Sequence, residues 1–132
     1  MTVLIIGGAY QGKLEYAKSL SIFDGTVADG AELGKAEYAD GPTCVNRLHL
    51  FIRRLLDEGL ESGEISRLIL ENVSDRIIIC DDICGGIVPI DKRENHWRET
   101  TGRLLCELTE KADIVLRIQC GITRILKGEA LC

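Results

Sequence analysis

Short apolar runs that end in glycine or an acid alternate along this chain with longer segments whose apolar residues recur every three or four positions. Val3-Leu4-Ile5-Ile6, closed by Gly7-Gly8, is wholly apolar and β-rich, the pattern of a strand buried on both faces. From Gly12 to about Leu20 the spacing predicts a helix with Leu14, Ala17 and Leu20 inward. Gly25 to Asp29 reads as a weak second strand, and the polar stretch from Gly30 to Gly41 as loop. A helix is predicted to open at Pro42-Thr43 and to stop near Gly59, with Val45, Leu48, His49, Ile52, Leu55 and Leu56 on one stripe. A further helix, Gly63 to Asn72, carries Ile65, Leu68 and Ile69. Arg76-Ile77-Ile78-Ile79-Cys80 is the strongest strand and runs into Asp81-Asp82. Asp91 and Glu94 form an Asp-x-x-Glu opening for a helix reaching Lys111, striped by Trp97, Thr101, Leu104, Leu105 and Leu108. Asp113 to Ile118 is a strand and Ile122 to Leu126 an edge strand. The order β-α-β-α-α-β-α-β predicts an α/β fold, a mostly parallel sheet with helices on both faces.

Composition narrows the function classes. At 132 residues the expectation is one domain spanning the chain, with 45% hydrophobic and 28% charged residues supplying an ordinary core and surface. The net charge of −5 and an aromatic share of 5% argue against nucleic-acid and anionic-membrane partners, which select basic faces and stacking platforms. The first residues lack the basic segment and apolar length of a signal peptide, and no apolar run reaches the 18 or so residues of a membrane span. The expected location is therefore cytoplasmic. Cys44, Cys80, Cys84, Cys106, Cys120 and Cys132 contain no Cys-x-x-Cys pair, so reduced thiols are expected rather than a metal or redox centre.

Gly7-Gly8-Ala9-Tyr10-Gln11-Gly12-Lys13 fits the pattern Gly-x-x-x-x-Gly-Lys. Placed between a strand and a helix, this pattern makes a phosphate loop: backbone N–H groups turn inward around an oxyanion, glycines permit the close approach, and the lysine adds a cation. The expected phosphate-binding residues are Gly7, Gly8, Ala9, Tyr10, Gln11, Gly12 and Lys13, with ATP or GTP as the nucleotide. Lys13 and Asp82 are the candidate catalytic residues, and Asp81 with Asp82 the candidate Mg²⁺ ligands at the next parallel strand end. The pattern departs at one position: Leu14 stands where a serine or threonine hydroxyl would touch the metal. A dinucleotide fold is the competing reading, with Asp29 at the right distance for a ribose, although Ala9 occupies the place of its middle glycine.

Asp82-Ile83-Cys84-Gly85-Gly86-Ile87-Val88-Pro89, then Trp97-Arg98 and Gly102-Arg103, then Ala112-Asp113 before a strand, and Gly121-Ile122, closely resemble the adenosylcobinamide kinase / adenosylcobinamide-phosphate guanylyltransferase family of cobalamin biosynthesis. The resemblance covers roughly residues 1–20 and 76–126 and places the phosphate loop where that family has it. It implies a P-loop NTPase-like three-layer fold, often assembled as a trimer, and transfer of the γ-phosphate of ATP or GTP to adenosylcobinamide, a corrinoid. Asp82 falls where the family has Glu, and Asp81 where it has Asn. The segment that carries the family's guanylylated histidine is shortened here, and residues 29–42 contain no His, so the guanylyltransferase activity is expected to be lost. His49, on an apolar helix stripe, is expected to be a satisfied, buried side chain, and His96 a surface one. The alternative expectation is a catalytically degenerate relative that holds nucleotide or corrinoid and acts through a partner or regulation.

Overall fold

The computed structural model describes residues 1–8, 12–83 and 91–129. Six strands form one sheet: β1 (Val3–Gly7), β2 (Val27–Asp29), β3 (Cys44–Asn46), β4 (Ile77–Asp81), β5 (Ile114–Gln119) and β6 (Ile122–Lys127). The spatial order is β2-β3-β4-β1-β5-β6, with every pairing parallel except β5 against β6. Side chains alternate across this sheet because successive Cβ atoms of a strand point to opposite faces. Leu4, Val45, Ile78, Cys80 and Val115 enter one core, and Val3, Ile5, Cys44, Ile77, Ile79, Leu116 and Ile118 enter the other. β1, and β4 from Ile77 to Cys80, are apolar because both faces are covered.

The helices divide unequally between the faces. α1 (Lys13–Lys18) covers one face, with Ala17 buried and Leu14 packed against the same core. α2 (Lys35–Asp40), α3 (Leu48–Asp57), α4 (Ser62–Leu70) and α5 (Lys92–Lys111) supply the other, through Tyr38, Leu48, Phe51, Ile52, Leu55, Ile65, Ile69, Leu104 and Leu108. α1 ends before Leu20 because the last turn tightens: the Ser19 N–H bonds to the Tyr16 carbonyl and the Leu20 N–H to the Ala17 carbonyl. Asp91 caps α5 by accepting from the Arg93 N–H, as the Asp-x-x-Glu opening predicts. Glu94 instead pairs with Arg53, and a capping box forms at α4 between Glu61 and Glu64.

Two expectations fail in the middle of the chain. The stretch expected as loop, 30–41, contains α2, anchored by fully buried Tyr38 whose hydroxyl donates to the Ile69 carbonyl at 2.8 Å. The helix expected from Pro42 is delayed, because Cys44-Val45-Asn46 is a strand paired with β2 on one side and β4 on the other. Val45 does fall on the spacing of Leu48 and Ile52, but sheet pairing outweighs helical period where two neighbouring strands offer backbone partners. The strand gives way to the helix at Arg47, which adopts a left-handed conformation (φ 55°) before α3 begins.

Candidate functional site

The sheet topology singles out one crevice. The chain leaves β1 toward β2 on one side and leaves β4 toward β5 on the other, so the adjacent carboxyl ends of β1 and β4 sit where the connections diverge. Open α/β sheets bind ligands at such a point. Gly7 pairs directly with Asp81, and the Asp82 N–H continues the ladder to the Gly7 carbonyl at 2.8 Å.

The first bend is built around two glycines with different tasks. A Cβ on Gly7 would stand 2.4 Å from the Ile118 carbonyl oxygen, so glycine is required for β1 to lie this close to β5 at its exit. Gly12 has open space around it but a φ of 90°, a conformation that carries a steric cost for other residues. Of the other expected phosphate-binding residues, Gly8 leaves β1, Lys13 opens α1, and Ala9, Tyr10 and Gln11 lie outside the described residues.

Lys13 turns back over the bend. It is only 6% exposed, and its ammonium donates to the Gly8 carbonyl at 2.5 Å and pairs with Asp81 Oδ1 at 2.8 Å. His49, from the first turn of α3, reaches Asp81 from the other side and is 5% exposed. Its Nδ1 accepts from the Asp81 backbone N–H at 3.1 Å, and its Nε2 lies 3.5 Å from Asp81 Oδ2. A ring nitrogen that accepts carries no proton, so the proton of this imidazole belongs on Nε2. Burial is the largest influence on His49 and holds its pKa below the ordinary histidine value, against the opposing pull of Asp81. The Trp97 indole N–H donates to the His49 carbonyl at 2.7 Å, and Arg53 lies over that indole at 4.7 Å.

The neighbouring charges are already engaged. Asp82 accepts from Arg117 at 3.0 Å. Asp29 is held by Arg47 through two nitrogens, Nε at 2.9 Å and Nη2, and also accepts from the Ala31 N–H. A dinucleotide site needs the acid of the second strand beside the first strand. Here β3 and β4 stand between β2 and β1, which places Asp29 about three strand spacings, roughly 14 Å, from the first bend. His96 is exposed and lines a shallow cleft with Arg53, Leu56, Asp57, Arg93 and Trp97. His49 is the buried, satisfied histidine that its stripe predicts. Its contact with Asp81 is invisible in the sequence, because it requires knowing that β3 delivers α3 beside the end of β4.

The residues present fit a divalent cation poorly. Asp81 presents one oxygen to Lys13 and the other toward His49, Asp82 faces Arg117, and Leu14 points its isobutyl group into the core on the α1 face. Among the described residues no cluster of three or more His, Cys, Asp or Glu side chains is suited to holding a metal. Arg98 and Trp97, both in the segment of resemblance, bond to the Ile83 and His49 carbonyls and so tie α5 to the strand end and to α3. No helix among the described residues is long and apolar enough to cross a membrane. No family model and no curated protein matches the chain.

Proposed function

We propose that the chain is a phosphate-loop protein that binds the phosphates of ATP or GTP at residues Gly7 to Lys13. The observation that carries this reading is a buried ammonium at the first bend: Lys13, 6% exposed, aligned across the β1–β4 crevice on Asp81. A lysine is costly to bury without a role for its charge. Here it stands beside a glycine-shaped turn at the place where open α/β sheets receive anionic ligands. The P-loop NTPase-like form of the three-layer fold belongs to this proposal, as does the family resemblance of roughly residues 1–20 and 76–126.

On that resemblance, the reaction is transfer of the nucleotide's γ-phosphate to the hydroxyl of adenosylcobinamide, with Lys13 on the phosphates and Asp82 beside the transferred group. A corrinoid partner and assembly as a homo-oligomer, a trimer in that family, follow from the same source, and a cytoplasmic setting belongs to the proposal on the pattern of the sequence. The donor set offers no ready cradle for Mg²⁺. The cation enters this reading only as a companion of the nucleotide, shielding phosphate charge, with Asp81 and Asp82 as its nearest carboxylates.

A second reading is favoured by Leu14 and by the Asp82–Arg117 pair: a binder that holds nucleotide or corrinoid without transferring phosphate and acts through a partner. Calorimetric titration with ATP and GTP, with and without Mg²⁺, on the parent and on Lys13→Ala tests the shared part. Binding that weakens in the variant and depends little on Mg²⁺ is expected, and equal affinity in both proteins removes the loop assignment. A γ-phosphate transfer assay with adenosylcobinamide then separates the enzyme from the binder.

A further inference from the structure

We propose that Arg117 and Arg124 form an oxyanion subsite on the β5 side of the crevice and hold the terminal phosphate of a triphosphate whose other phosphates lie at the first bend. The inference rests on the reading of Gly7 to Lys13 as a phosphate loop. It adds two residues that neither the glycine-lysine pattern nor the family resemblance singles out.

The hairpin that brings the two arginines together has a local cause. Cys120 (φ 50°) and Gly121 (φ 77°) both take left-handed conformations, as a two-residue turn between twisted antiparallel strands requires. That turn fixes the register and sets Arg117 directly opposite Arg124. Opposed residues project to the same face, with Cβ atoms about 5 Å apart. Leu116 and Ile118 enter the core that α1 covers, so both arginines stand on the other face. Arg117 interrupts a strand that is otherwise apolar from Ile114 to Ile118. Like charges directly across a ladder are destabilising. Asp82 answers part of this charge by accepting one Arg117 N–H at 3.0 Å, which orients that guanidinium and leaves its other donors. Arg124 is exposed and makes no ion pair among the described residues. The outer edge of β6 does not need it for protection, because a register shift opposite Val115 and Leu116 already interrupts that edge. The place of the pair supplies its use. Arg117 is paired with Ile6, one residue before Gly7. β5 lies one strand spacing from β1 and β6 two, about 5 and 10 Å, which an arginine and a chain of phosphates span together. Two forked guanidiniums side by side match the oxygens of a terminal phosphate.

The probes are inorganic tripolyphosphate and pyrophosphate, titrated calorimetrically without metal. The parent is expected to bind tripolyphosphate about tenfold more tightly than pyrophosphate, the scale of a hydrogen bond between charged groups. In Arg124→Gln and in Arg117→Gln that preference is expected to fall below about threefold, with pyrophosphate affinity held near the parent's. Arg67→Gln removes an exposed charge from α4 and is expected to keep the parent's preference. A parent that binds both anions equally, a parent-like preference in Arg124→Gln, a loss of equal size for both anions, or the same fall in Arg67→Gln overturns the inference and leaves the phosphate loop standing. A parent that binds neither anion, or a Lys13→Ala variant that binds pyrophosphate as well as the parent, overturns the phosphate reading itself and this subsite with it.

Discussion

A lysine, an aspartate and a histidine from three separate elements meet within hydrogen-bonding reach at the end of β1, and each is constrained by neighbours rather than by its own preference. The same holds for the glycines around them. Gly7→Ala is expected to destabilise the fold by about 2 kcal/mol or more, since its methyl would meet the Ile118 carbonyl at 2.4 Å and the backbone of two strands would have to part. Gly12→Ala, with open space but a left-handed backbone, is expected to cost about 1–2 kcal/mol. Urea denaturation of both variants checks the order. Asp24 offers a test of acid behaviour. Hydrogen bonds from the Thr26 and Thr43 hydroxyls and the Thr26 N–H favour its ionised form and hold its pKa down to about 2. A depressed carboxylate pKa stabilises the fold above its unfolded value of 3.8, and that contribution fades as pH falls toward 2. A carboxyl ¹³C titration is expected to place the midpoint near 2. Asp24→Asn is expected to lose the part of the acid dependence that lies between pH 4 and 2.

Among the elements, legibility in the sequence tracks how local the cause is. β1, β4 and β5 announce themselves through runs of at least three consecutive apolar residues, Val3 to Ile6, Ile77 to Cys80 and Ile114 to Leu116, as strands covered on both faces require. α5 announces itself through the Asp91 cap and a stripe that includes Thr101 and Leu104, both buried. β3 does not, since three residues cannot establish a period and Val45 satisfies the helical spacing by coincidence; its strand character comes from β2 and β4. α2 is equally silent: six largely polar residues, made stable by one tyrosine that reaches into the core. The candidate site divides along the same line. The Gly7–Lys13 bend and the acid pair at 81 and 82 are local and readable, whereas the approach of His49 and the pairing of Asp82 with Arg117 are products of the fold. Tyr38→Phe tests how α2 is held. It leaves the ring against Phe51 and Arg76 but removes the bond to the Ile69 carbonyl, and a loss of about 1–2 kcal/mol in thermal unfolding is expected.

At the scale of the whole molecule, the asymmetry of the layers matters most. Among the described residues one face rests on the single short helix α1 and the other on four helices, so substitutions in α1 act on a thinly covered core and on the candidate site together. Leu14→Ser puts both effects in one variant. The lost packing is expected to lower stability by about 1–2 kcal/mol, in proportion to a partly buried isobutyl group. The new hydroxyl is expected to make nucleotide affinity depend on Mg²⁺, which the parent's is not expected to do. Denaturation and calorimetry on the same preparation read out the two. Thermal shift with ATP is a parallel check, because a ligand that binds only the folded state raises its melting point.

The chain has one tryptophan, and its indole nitrogen is bonded to the backbone of the residue that touches Asp81. Any sliding of α5 over α3 would stretch that bond and change the polarity around the ring. Intrinsic emission at the red edge of the ultraviolet absorption band is thus a native optical gauge of the crevice, usable without dyes, labels or engineered residues.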